Sequence, residues 1–290
     1  MSPTAIALIL AAAIAHASWN LFTKQAAASG AAFFLWLLAA SGTVIYLPVV
    51  LVTWLLAHPH LTRLSWVFLV GTGVLQAAYF LFLQLGYRLG DLSLVYPIGR
   101  GSGAMLAAIA GIVLLGERPG PVTIVGIALI IAGVVAISLP GRDSQPATGT
   151  SLKAVGFALV TGVFIASYTI WDKYAVATLH TPPVLQGYAT FPFMAAVFWP
   201  FARADKARLG RVWREFRPQV LGAAVLAPLA YMLVLAALSF TAVSAIAPAR
   251  EVSVLFGVLL GRRLLGESGV ARRLAAAAAI VAGIIAIAVG

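Results

Sequence analysis

Ala17-Ser18-Trp19-Asn20-Leu21-Phe22-Thr23-Lys24-Gln25-Ala26 returns 149 residues later as Ala166-Ser167-Tyr168-Thr169-Ile170-Trp171-Asp172-Lys173-Tyr174-Ala175. Leu114-Leu115-Gly116-Glu117 returns 150 residues later as Leu264-Leu265-Gly266-Glu267. The tails also match, Ile-Ile-Ala-Gly-Val-Val-Ala-Ile-Ser at 130–138 against Ile-Val-Ala-Gly-Ile-Ile-Ala-Ile-Ala at 280–288. The chain is therefore one module joined to a copy of itself.

The module belongs in a bilayer. Of 290 residues, 62% are hydrophobic and only 9% charged, too few charges to cover a soluble surface. Apolar runs near the length needed to span hydrocarbon recur throughout, without the alternation of a membrane strand. Breaks between the runs predict ten spans, at 3–23, 31–56, 65–87, 92–115, 121–139, 152–175, 183–202, 217–239, 244–265 and 271–289. The expected fold is an all-α polytopic membrane protein. Residues 1–140 form a first five-helix repeat, 141–151 a Pro/Gly/Ser-type linker, and 152–290 a second repeat. Five crossings per copy is odd, so the copies must be inverted relative to each other.

Charge sets the expected partners and orientation. The net charge of +11 sits in short loops between apolar spans, which points to lipid headgroups and orientation rather than nucleic acid. Loops following odd-numbered spans hold fourteen of the nineteen Lys and Arg, including Lys24, Arg88, Arg142, Lys153, Arg262, Arg263, Arg272 and Arg273. The positive-inside rule then puts those loops in the cytoplasm and both termini outside a cell (inner or plasma) membrane. Six of the fourteen fall in Arg203–Arg217, where Arg208, Arg211, Arg214 and Arg217 recur every third residue, as in an interfacial helix on anionic lipid. The first 23 residues carry no Lys or Arg, so a cleavable signal with a basic start is not expected. There is no cysteine, and His58-Pro59-His60 is too sparse for a metal site. No metal or cofactor is expected, and a monomer is.

Polar residues inside spans are costly, so each is a functional candidate. His16, Trp19, Asn20 and Thr23 fall at i, i+3, i+4 and i+7, on one face of the first span. The second copy has its own polar-aromatic face at Tyr168, Trp171 and Asp172. These faces suit a substrate cavity, or interhelical hydrogen bonds that only hold the bundle. Tyr79 in span 3, among Gln76, Phe80 and Gln84, and Tyr231 in span 8 fit a ligand wall or an interface belt. Spans 4 and 9 carry prolines, Pro97 and Pro248, at matching depth, with Tyr96 beside the first. Helix kinks in both copies are expected there, and paired interruptions mark a transporter's site. Arg100, about 12 Å into its span, has Glu251 as its counterpart. Arg100 or Arg250 would bind a carboxylate or phosphate on a substrate. Alternatively, Arg100–Glu251 is a structural ion pair or a gate. Gly99-x-x-x-Gly103 reads as close helix packing.

His16-Ala17-Ser18-Trp19-Asn20 with Lys24, Gly90-Asp91-Leu92-Ser93 with Pro97, and Leu-Leu-Gly-Glu in both halves make the chain similar to the EamA family of the drug/metabolite transporter superfamily. The resemblance runs over the full length and rests on the order of the motifs. It implies ten helices around a cavity lined by spans 1, 3, 4, 6, 8 and 9, with spans 5 and 10 peripheral. It also implies alternating-access efflux of small metabolites such as amino-acid-like, carboxylate or amphiphilic compounds. Family members are usually described with both termini cytoplasmic, opposite to the charge count here. The expected cavity residues are His16, Trp19, Asn20, Tyr79, Tyr96, Arg100, Tyr168, Trp171, Tyr231 and Glu251. Coupling to protons would use Glu251, Asp172 or His16, the titratable groups among them. The rivals are a membrane enzyme on a lipid or prenyl phosphate and a non-transporting sensor. The enzyme reading lacks Gly-x-Ser-x-Gly, His-Glu-x-x-His and any Cys, and no catalytic residue is expected.

Overall fold

The computed structural model describes residues 1–26, 31–89, 92–138, 152–253, 256 and 270–290. Among these, every regular element is a helix. The first repeat supplies α1 (Pro3–Gln25), α2 (Ala31–Ala57), α3 (Arg63–Leu89), α4 (Leu92–Leu114) and α5 (Pro121–Ser138). The second supplies α6 (Leu152–Ala177), α7 (Pro183–Ala204), α8 (Lys206–Phe240), α9 (Val243–Ala249) and α10 (Val270–Val289). Helices α1, α2, α3, α6 and α8 are long and apolar enough to cross a membrane, and α4, α5 and α10 hold shorter apolar stretches. Large apolar side chains face outward, among them Val44 at 71% and Leu56 at 79% exposure, as a lipid-facing belt requires. Half of the ninth predicted span, with Gly257 and Gly261, lies outside the described residues, as does the linker.

Helix pairs come in equivalent twos. α1 packs on α8 as α6 packs on α3, and α3 meets α7 as α8 meets α2. The pairs α2–α7, α4–α9 and α5–α10 join an element to its own counterpart. Along α5–α10, a Cβ on Gly126 would stand 2.6 Å from the Gly283 carbonyl, and one on Gly133 would stand 2.8 Å from that of Ala276. Position rises along α5 as it falls along α10, so equivalent helices run antiparallel. That relation inverts the two repeats.

With no water to expel, such contacts hold by close packing alone. Gly126→Leu should therefore force the α5–α10 seam apart and cost about 1–3 kcal/mol of overpacking. Gly156→Ala, where a Cβ meets nothing within 4 Å, serves as the neutral control. The melting temperature in detergent reads both. At the α4–α6 crossing Gly103 faces Ile165, whose Cβ lies 2.7 Å from the place of an added Cβ, so the Gly99–Gly103 pattern packs against α6.

One helix boundary differs from the sequence reading. α8 begins at Lys206, well before the expected start, because the Asp205 carboxylate accepts from the Arg208 N–H at 2.8 Å and caps it. The helix bends at Phe216 (φ −114°, ψ 20°), two residues before Pro218. The segment's apolar flank, with Leu209, Val212 and Trp213, packs near Phe33, Phe34 and Leu37, while its basic residues stay exposed. Glu117 accepts from Val243 N at 2.6 Å and Ser244 N at 2.8 Å, capping α9 in the other repeat. Gly116 at φ 67° ends α4 and turns Glu117 back. Its copy, Gly266-Glu267, lies outside the described residues.

Candidate functional site

α9 ends one residue after Pro248. Glu251 N–H bonds to the Pro248 carbonyl at 2.9 Å, and this turn points Arg250 and Glu251 inward. There α4 brings Arg100. Its Nε donates to Glu251 Oε2 at 3.1 Å and its Nη2 to Oε1 at 2.9 Å, a two-pronged fork. Arg100 Nη1 lies 3.3 Å from His16 Nε2. A guanidinium only donates, so His16 accepts there and its ring proton sits on Nδ1. Arg250 Nε reaches Glu251 Oε1 at 3.5 Å, close enough for attraction but without a hydrogen bond. Two guanidiniums thus share one carboxylate, at 6%, 8% and 1% exposure. One positive charge is left over.

A cavity of about 30 Å³ opens beside this cluster. Arg100, Arg250 and His16 give it a basic side, Tyr168, Tyr231 and Val234 a second side, and Ala12 and Ala13 of α1 leave the space. Arg250 Nε and Nη2 are buried and make no hydrogen bond among the described residues. The Arg250 guanidinium carbon stands 5.8 Å from the Tyr168 ring centroid. Tyr168 is edge-on between Tyr79 at 5.9 Å and Tyr231 at 6.1 Å.

Tyr231 connects the cavity to a second buried group. Its hydroxyl donates to Asp172 Oδ2, while Gln186 Nε2 donates to Oδ1 at 2.7 Å. Asp172 and Gln186 are both fully buried. Among the described residues Asp172 has no ion-pair partner within 4.0 Å. Gln186 Nε2 also lies 3.2 Å from the Phe68 carbonyl, which takes Trp171 Nε1 at 2.9 Å. A larger groove of about 440 Å³ at the α2–α3 turn, with Trp54, His60 and Trp66, shares no residue with this centre.

Comparison with known proteins finds the same two repeats. The model of the EamA-like transporter family matches residues 3–139 and again 152–289. The chain belongs to the EamA-like transporter family. A solved crystal structure superposes with a TM-score of 0.77 at 14% identity, covering all of this chain and 98% of the other, which shows a shared fold. Guanidinium exporters of Escherichia coli strain K12 and Shigella flexneri are 46% identical over 44 residues, 15% of this chain. The match spans 42% of the length of those relatives. The protein is accordingly an integral membrane protein of a transporter family.

Within this EamA-like chain the structure brings together His16, Arg100, Tyr168, Tyr231 and Glu251 of the expected residues, with Tyr79 behind Tyr168. Asn20 Nδ2 donates to the His16 carbonyl at 2.8 Å, within its own helix. Trp19 touches His16 edge-on at 5.3 Å and otherwise packs in the α2–α8 cluster. Trp171 stacks on Phe68 at 4.1 Å, in the α3–α6 contact, and does not line the cavity. The side chains of Tyr96 and Pro97 lie outside the described ones, and α4 runs through both positions as helix. Gln186 was absent from the expected set. Its signal was a Gln at 186 and a Thr at 190, one helical turn apart in an apolar span. Lys173 lies apart from the cavity, donating to the carbonyls of Leu238 and Thr241 at 2.8 and 2.9 Å and capping α8.

Proposed function

We propose that this protein is a secondary carrier that exports a small carboxylate-bearing metabolite by alternating access, with Arg250 holding the carboxylate. The observation that carries the reading is the Arg250 guanidinium, which faces the cavity with two buried, unused N–H positions. An unsatisfied buried charge is costly, so a site keeps one where a ligand completes it. Tyr168 and Tyr231 give the rest of the ligand an aromatic wall. The cavity of about 30 Å³ admits one or two waters. Substrate therefore enters when the halves part along the paired α1–α8 and α3–α6 contacts.

The related exporters are named for a cation. Here Glu251 is already held by Arg100's own guanidinium, and Asp172 is held by Tyr231 and Gln186 outside the cavity lining. The charge distribution supports both termini outside a cell membrane and the exposed Arg203–Arg217 stretch on anionic lipid.

Purified protein in vesicles tests the proposal. Benzoate flux should saturate and be stimulated by benzoate on the opposite side. Flux linear in concentration, or none across acetate, propionate and benzoate, overturns the carboxylate reading.

A further inference from the structure

Two carboxylates and an imidazole lie at or beside the cavity, and their hydrogen bonds set them apart. Both Glu251 oxygens accept from Arg100, and Oε1 also faces Arg250. Guanidiniums cannot accept a proton in return, so a proton there must break the fork. The His16 Nε2 lone pair is taken by Arg100 Nη1. Asp172 differs. Its partners are a hydroxyl and an amide, both neutral, and the hydroxyl can accept as well as donate.

We propose that Asp172 is the proton-binding site of the carrier and that Tyr231 joins it to the substrate cavity. This rests on the carrier reading above. In the structure the Tyr231 O–H donates to Oδ2. When a proton adds to Oδ2, the new carboxyl O–H donates to the Tyr231 oxygen, and the phenol proton turns toward the cavity. The Oδ2–H bond forms as an O–H bond of a hydronium ion from the aqueous phase breaks, leaving water, and no other covalent bond changes.

The groups around Asp172 decide the sense of coupling. From α8 it faces Tyr231, from α7 Gln186, and from α3 Thr72, with Tyr79 further along. From α4 and α1 come Arg100 and His16 across the cavity, and from the turn after α9 come Glu251 and Arg250, whose charge acts on Asp172 through space. On α6 itself Tyr168 lines the cavity, and Lys173 is committed to the end of α8. Protonating Asp172 removes a negative charge that competes for Arg250, so a carboxylate at Arg250 binds more tightly. Linkage makes the effect mutual. Proton and carboxylate therefore travel together, and the direction follows their combined gradients.

Infrared spectroscopy of the full chain in lipid tests the proton site without any substrate. A protonated-carboxyl C=O band should appear as pH falls. It should vanish in Asp172→Asn and move to higher frequency in Tyr231→Phe, where its hydrogen-bond partner is gone. Melting curves verify that both variants fold. Absence of the band, or its survival in Asp172→Asn, overturns the proposal. Adding benzoate near the band's midpoint should draw up to one proton per benzoate bound by the wild-type protein and none by Asp172→Asn. Uptake that persists in Asp172→Asn also overturns it. A titrating band with no benzoate binding sinks the carboxylate reading alone, and binding without the band sinks Asp172 alone.

Discussion

Glu251→Leu alone is expected to cost the fold about 3–5 kcal/mol, the usual result of stranding one side of a buried ion pair. Its removal leaves Arg100 and Arg250, with side chains 7% and 9% exposed, facing each other with no shared anion. The double variant Glu251→Leu with Arg100→Leu should recover most of that loss. Two well-packed apolar side chains often match or exceed a buried pair in stability. Melting temperature in detergent for both singles and the double closes the cycle and gives the coupling between the two positions. Vesicle flux on the double variant then separates the two roles considered for the pair. A structural pair predicts a carrier that still saturates. A gate predicts a leak that does not.

Arg250→Gln should leave the fold largely intact and remove substrate binding. Glutamine fits much of the arginine stem, and the pair that remains, Arg100–Glu251, keeps its own two hydrogen bonds. What disappears is the cavity's unused donor pair and its charge. Hydrogen bonds to a charged group contribute about 1.5–3 kcal/mol each. Losing the anchor should therefore weaken benzoate binding by roughly a hundredfold or more. Arg250→Lys should recover only part, since an ammonium keeps the charge but not the planar fork. Calorimetric binding of benzoate to the three proteins decides it. Equal affinity for wild type and Arg250→Gln would remove Arg250 from the site.

The fold was largely legible because membrane helices announce themselves. Ten apolar runs and a repeat offset near 150 require little tertiary information, and the ends of most helices fall within a few residues of the reading. The 206–216 segment reads as an interfacial helix, and what its sequence did not show is that it runs on into α8, starting from the Asp205 cap and with Val212 packed against α2. The site was legible where repeat alignment carried it. Arg100 and Glu251 stand at equivalent positions and meet. It was not legible where helical rotation decided. Trp171 and Asp172 are adjacent in sequence, yet one turns to Phe68 and the other to Gln186 and Tyr231. Arg250 gains its meaning only from the end of α9, which turns it beside Tyr168.

The contact between Arg100 and Glu251 joins equivalent positions of the two repeats, so it lies on the axis that relates them. In a pair of identical halves that axis would set each residue against its own twin. A charge there would meet the same charge, and only neutral residues could sit comfortably. Joining the halves in one chain lifts that restriction, because each side can then be written separately. The opposite charges at the centre are thus something two identical subunits cannot build, and they give the molecule an intrinsic polarity despite its near-symmetric frame.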